Sequence, residues 1–303
     1  MMERKKIIDS IIRLKKEKQA LVLAHNYQIG EIQDLADYVG DSLQLARKAM
    51  EIQEDLIVFC GVRFMAESAK LLNPDKKVVL PRLDAGCPMA DMVTAQGIQS
   101  YRESHPDTVV VTYVNSSAAV KSVSDICCTS ANAVDIVSRI ESREILFAPD
   151  RNLGAFVQER LAGKVITRWE GFCPVHDRVT ASEVEAMKRS HPGIEVLVHP
   201  ECRQEVFHLA DFVGSTSQIL AYVKESPGKQ FIIGTERGIL HTLEKENPHK
   251  EFHLLSEKLV CEDMKKITLE DLLRALEDEG PEILLDPAVA RGGKKALERM
   301  LDQ

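Results

Sequence analysis

The chain has 303 residues, of which 44% are hydrophobic, 5% aromatic and 28% charged, and its net charge is −8. It is long and apolar enough to be globular, and its dispersed Lys and Arg with few aromatics exclude nucleic acid as the main partner. Any anionic ligand must be held by local donors, because the overall field repels it.

The opening MMERKKIIDSIIRLKKEK sets charges against apolar pairs at helical spacing and lacks a signal-peptide core. No apolar run approaches the ~20 residues of a membrane span, so a cytoplasmic protein with no membrane partner is expected. Strands are predicted at Leu21–His25, Leu56–Phe59 and Lys77–Leu80. A helix from about Thr94 to Arg102 follows, then the strand Val109–Val114, a short helical turn and a strand near Asp125–Cys127. Next come a helix from about Ala131, the strand Ile145–Ala148, a helix over Leu153–Leu161 and the strand Lys164–Thr167. Short β-branched runs alternating with helical patterns describe parallel βαβ units covered on both faces. After Thr268 the tail offers a helix, a short strand at Glu282–Leu285 and a last helix. It is expected to pack on the first unit and close a ring of three.

One segment recurs along this order. Cys87-Pro88 matches Cys173-Pro174, Thr94-Ala95 matches Thr180-Ala181, and Ser104-His105-Pro106 matches Ser190-His191-Pro192, without a gap over more than 40 residues. A further copy at the N-terminus aligns His25 with Tyr113 and His199, and Tyr27 with Asn115 and Glu201. It also aligns Asp37 with Asp125 and Asp211, Ser42 with Ser130 and Thr216, and Arg63 with Arg151 and Arg237. Each copy reaches a cysteine, Cys87, Cys173 and Cys261, separated by 86 and 88 residues. Such repeats fix the architecture. The expected fold is α/β: three homologous αβα, Rossmann-like units with parallel four-stranded sheets around a pseudo-threefold axis. Their bounds are 1–86, completed by the tail 262–303, then 87–172 and 173–261.

The seven cysteines include no CxxC pair, which removes the strongest zinc-ribbon and thioredoxin signals. Cys60 and Cys127 read as small buried hydrophobes, while Cys128 and Cys202 lie near polar loops. Cys87, Cys173 and Cys261 differ, since they share one repeat position. Three converging thiols suit zinc or an iron–sulfur cluster whose ligands lie far apart in sequence. With three thiolates a four-iron cluster leaves one iron open as a Lewis acid.

In open parallel sheets ligands bind beyond the carboxyl ends of the strands. His25, Tyr113 and His199, with Tyr27, Asn115 and Glu201, stand there, polar in every copy but changing in identity. That is the pattern of a symmetric scaffold holding an asymmetric ligand. Ser42, Ser130 and Thr216 open the next helix of each copy, where free N–H groups attract anions; taken singly they are plain helix caps. The invariant Asp37, Asp125 and Asp211 and the three arginines read as scaffold, and His176 either lines the site or caps a turn.

The motifs LAHNYQ (Leu23–Gln28), GDSLQLA (Gly40–Ala46), YVNSSAAVKS (Tyr113–Ser122), CTSANA (Cys128–Ala133), APDRNLG (Ala148–Gly154), CPVH (Cys173–His176), HPEC (His199–Cys202) and IGTERG (Ile233–Gly238) resemble the quinolinate synthase family over essentially the whole chain. The resemblance implies three αβα domains around a central [4Fe–4S] cluster held by Cys87, Cys173 and Cys261, with one iron open. It implies condensation of iminoaspartate with dihydroxyacetone phosphate to quinolinate, phosphate and two waters, in NAD biosynthesis, with a partner enzyme supplying the iminoaspartate. By the same resemblance His25, Ser42, Tyr113, Asn115, Ser130, His199, Glu201 and Thr216 bind substrate, and Tyr27 and Glu201, beside His199, serve acid/base chemistry. Cys261 stands alone in VCEDMKK, without the CxxCxxC of some members. Two other classes use the same residues: a zinc or cysteine-nucleophile enzyme, and a cluster-holding sensor that binds a dicarboxylate without turnover.

Overall fold

The computed structural model describes residues 2–302. Three separate four-stranded sheets, all parallel, share one strand order. The first sheet holds β1 (Ala20–His25), β2 (Tyr38–Gly40), β3 (Leu56–Cys60) and β4 (Lys77–Val79), in the spatial order β2-β1-β3-β4. The second holds β5 (Val109–Tyr113), β6 (Ile126–Cys128), β7 (Glu144–Ala148) and β8 (Val165–Arg168), and the third β9 (Glu195–Val198), β10 (Phe212–Val213), β11 (Gln230–Gly234) and β12 (Glu251–Leu254). The register repeats as well: Leu23 lies opposite Tyr38, Val111 opposite Ile126 and Leu197 opposite Phe212. The expected three αβα units are therefore present. Helices cover the sheets, so a central strand such as LIVFC in β3 is buried at every residue.

Each sheet reverses its winding between its first and third strands, which opens a crevice beyond their carboxyl ends. The invariant aspartates act at the other side of this frame. Asp37, Asp125 and Asp211 accept the backbone N–H of Val22, Val110 and Val196, each at 2.8 Å. They also pair with Lys15, Arg102 and Lys188. The arginine position is likewise backbone architecture: the N–H groups of Arg63, Arg151 and Arg237 donate to the carbonyls of Ala85, Gly171 and Leu259 at 2.8, 2.8 and 2.9 Å. Each acceptor stands two residues before a cysteine, so the start of one helix anchors the loop that carries the thiol.

Two tail expectations change. The segment at Glu282–Leu285 is no strand but one antiparallel bridge between Val79 and Glu282. Pro281 and Pro287 flank it and lack the N–H a ladder needs; it covers the open edge of β4 through Leu80 N–H to Pro281 and Ile283 N–H to Val78. The tail also reaches past the first unit. The helix Leu269–Asp278 lies on Met2–Glu17 and β3, while Pro287–Leu301 packs on Ala118–Ser122 and β6 of the second sheet as well as on Arg63–Leu72. Gly292 permits that approach, since a Cβ there would sit 2.6 Å from the Ser122 carbonyl oxygen. Among the described residues no helix is long and apolar enough to cross a membrane.

Candidate active site

The three crevices open into one cavity of about 70 Å³. Every residue singled out from the sequence lines it: His25, Tyr27, Ser42, Cys87, Tyr113, Asn115, Ser130, Cys173, His199, Glu201, Thr216 and Cys261. Apolar walls come from Val62, Phe64, Met65, Met89, Val175 and Met264. Cys128 and Cys202 are fully buried and stay out of the lining, as do Cys60 and Cys127.

The three cysteines are presented alike. Cys87 and Cys173 each precede a short helix with Pro in its first turn, and Cys261 precedes the 3₁₀ turn Asp263–Lys265. The backbone N–H groups of Ala90, His176 and Met264, each three residues on, favour the thiolate form of the cysteine before them. Burial pushes all three thiols upward, Cys261 to about 11, and these amides oppose part of the rise. Two thiol loops have a further support that sequence reasoning missed: Asp150 accepts the N–H of Cys173 at 3.1 Å and Glu236 that of Cys261 at 3.2 Å. Their repeat equivalent in the first copy is Val62. Here Asp263 accepts instead from Gly86, next to Cys87, at 3.2 Å.

Glu201 is the hub of the polar wall. Its carboxylate accepts from Tyr113 Oη at 2.7 Å and Asn115 Nδ2 at 3.5 Å, and it lies 2.7 Å from His176 Nδ1. Burial pushes this carboxyl up, but the charge that the His199 and His176 rings carry when protonated and the bonds from His176 and Tyr113 outweigh it, so Glu201 is held well below the usual carboxylate range. Burial raises Tyr27 and Tyr113, which stay protonated donors. His25 and His199 are also desolvated, to about 4 and about 3, so both are neutral imidazoles. In each, Nδ1 accepts the backbone N–H two residues on, from Tyr27 at 3.1 Å and Glu201 at 3.3 Å. That fixes the tautomer with the proton on Nε2, leaving two neutral ring donors.

A continuous chain joins the first and third copies. Tyr27 Oη lies 2.6 Å from Thr235 Oγ1, Thr235 Oγ1 2.9 Å from His176 Nε2, and His176 Nδ1 2.7 Å from Glu201. One direction satisfies every atom: tyrosine donates to threonine, threonine to Nε2, and Nδ1–H to the carboxylate. This resolves the two readings of His176 in favour of the site. Thr235 lies within IGTERG, but its contact with Tyr27 comes only from packing between the first and third copies.

The helix N-termini depart from expectation. Asp41 caps Ser42–Glu51 through Leu43 and Gln44 N–H, and its other oxygen accepts from Ser217 N–H at 3.2 Å, in the first turn of Thr216–Glu225. Ser215 caps that second helix through Gln218 N–H. Ser130 is not at a helix start, because Asn132 accepts the Thr129 amide and hydroxyl and delays the helix to Ala133. Three open amide cradles are thus replaced by hydroxyls, the first-turn amides of Ser42 and Thr216, and one capping carboxylate shared between two copies. Asn115 Oδ1 is buried without a partner, which marks the cavity as a place that takes a donor from a ligand.

Among the described residues Cys173, His176 and Glu201 form the one group of three metal-ligating side chains whose donor atoms gather within 4.8 Å. A parallel α/β fold with a cavity of thiols, neutral imidazoles, phenols and an ionised carboxylate defines an enzyme for small-molecule substrates. The family model described as Quinolinate synthetase A protein matches residues 9–302. Relatives named quinolinate synthase include those of Alkaliphilus metalliredigens, 52% identical over 98% of each chain, and Methanoregula boonei, 53% identical over 97% of each. That of Geobacter metallireducens is 52% identical over 97% of each chain. The chain belongs to the quinolinate synthetase A family.

Proposed function

We propose that the chain condenses iminoaspartate with dihydroxyacetone phosphate to give quinolinate, phosphate and two waters, with Cys87, Cys173 and Cys261 holding a [4Fe–4S] cluster. The observation that carries this reading is the repeat-equivalent delivery of three thiols into one cavity with an ionised carboxylate and two neutral imidazoles. The donor set fits a cluster better than one zinc ion. Tetrahedral zinc with Zn–S of about 2.3 Å draws thiols to about 3.8 Å apart, whereas Cys87 and Cys261 stay outside the 4.8 Å group that includes Cys173. When bound, such a cluster with one iron free of protein ligands supplies a Lewis acid for a substrate oxygen or nitrogen.

The chain's own residues do the rest. The Nε2–H groups of His25 and His199 and the hydroxyls of Ser42, Ser130 and Thr216 bind the carboxylates and the phosphate by local donors, as a protein of net charge −8 requires, while Asn115 Oδ1 accepts a donor from the substrate. Glu201 takes protons during isomerisation and dehydration, and Tyr27, once its hydroxyl turns from Thr235 to the substrate, donates one to the departing oxygen. His176 and Thr235 hold the two at fixed relative positions. The units 1–86 with 262–303, 87–172 and 173–261 contribute Tyr27, Asn115 and Glu201 in turn, and the three cysteines stand at the unit boundaries: Cys87 and Cys173 open the second and third units and Cys261 ends the third. The test is to purify the protein without oxygen, assay iron, and supply both substrates. Quinolinate and phosphate in equal amounts are expected; an iron-replete protein that forms neither contradicts the reading.

A further inference from the structure

The turns that carry Tyr27 and Asn115 are held from beneath by side chains the chemistry above does not use. In the first copy Gln33 Nε2 lies within hydrogen-bond distance of three carbonyls, those of Asn26 at 3.0 Å and Gln28 at 2.9 Å, the two residues flanking Tyr27, and that of Gly238 at 2.9 Å. In the second copy Lys121 Nζ donates to the carbonyls of Val114, at 2.8 Å, and Ser116, the two residues flanking Asn115. Gln33 and Lys121 are repeat equivalents, each eight residues past the strand-end residue, His25 or Tyr113. Gln33 is 5% exposed and Lys121 0%. The third copy breaks the pattern with Phe207, and there Asn152 of the second copy donates to the carbonyl of Glu201 itself at 3.0 Å.

We propose that Gln33 and Lys121 are positioning residues: each clamps the two peptide carbonyls either side of a cavity residue and so sets where Tyr27 and Asn115 stand against Glu201. A buried carbonyl left without its donor is destabilising. Clamping the outer two fixes both peptide planes around the residue between them, which directs its side chain. Two chemically different donors at one repeat position, serving the same two acceptors, single out the clamp as the shared task. The ammonium is more than that task needs, for Gln33 shows that an amide suffices, and burial pulls Lys121 down to about 8.

This inference rests on the cavity being the substrate site, and the experiment separates the two. Lys121→Gln and Lys121→Met are compared with wild type in the anaerobically purified holoenzyme. The readouts are iron content, melting temperature, kcat and KM, binding of quinolinate by calorimetry, and hydrogen exchange over 113–117. Lys121→Met is expected to keep its iron, exchange faster over 113–117, and weaken quinolinate binding and kcat/KM by about tenfold to a hundredfold. Lys121→Gln, which places at 121 the residue used at 33, is expected to restore both. A Lys121→Gln variant as impaired as Lys121→Met overturns the clamp and assigns the effect to the buried charge, and an unimpaired Lys121→Met overturns it outright. If Lys121→Met does not fold, Lys121→Gln alone decides. A wild-type enzyme that makes no quinolinate contradicts the function, while the exchange comparison still judges the clamp.

Discussion

The frame of each sheet and the cavity edge obey opposite rules. In the frame the three copies are the same: an aspartate accepts a first-strand amide, and Lys76, Lys164 and Lys250 donate to the equivalent carbonyls of Ile52, Ile140 and Ser226. At the cavity the cysteines stay constant while the residues facing the ligand diverge into tyrosine, asparagine and glutamate. Constancy serves backbone groups that are identical in all copies, and divergence serves a ligand without threefold symmetry. The cysteines combine the two, being constant yet placed at the cavity, as expected of ligands to a group that all three copies share.

This contrast can be broken at either end. The largest effect is expected at Glu201, the one carboxylate where its sister copies carry a phenol and an amide. Glu201→Gln preserves the shape and should keep iron while turnover falls by about 10²- to 10⁴-fold; near-normal turnover removes Glu201 from the chemistry. A smaller effect is expected in the frame. Asp125→Ala removes the acceptor for Val110 N–H and the partner of Arg102, and should lower stability by roughly 1–3 kcal/mol in denaturant titrations. Its KM and iron content should be unchanged below the unfolding transition. A shifted KM with unaltered stability would place Asp125 in the site rather than the frame.

Much of this was legible in the sequence because the repeat converts spacing into geometry. Equal offsets for Cys87, Cys173 and Cys261 amount to equal places on three copies of one fold. What escaped reading lies between copies. Thr235 meets Tyr27, and Asp41 caps a helix of the third copy, only through packing that no linear offset encodes. In GDSL the sequence reading places the cap at Ser42, whereas Asp41 is the cap and its second oxygen reaches the third copy. Asp150 and Glu236 were within reach of the same alignment, since they share one repeat column with Val62 immediately before the invariant arginines. Their role was hidden because the first copy breaks the column. The tail bridge at Val79–Glu282 was overread as a strand, because β-branched and aliphatic residues outweighed the flanking prolines.

The central claim is that three copies build one metal-holding site. It is tested most directly by measuring iron and acid-labile sulfide per chain in the anaerobically purified protein and in Cys87→Ala, Cys173→Ala and Cys261→Ala. The expected result is about four iron ions per wild-type chain, with loss of both the cluster and the activity in each variant whichever copy is altered. A variant that retains full turnover with no iron, or its full iron with one of the three thiols gone, would contradict it.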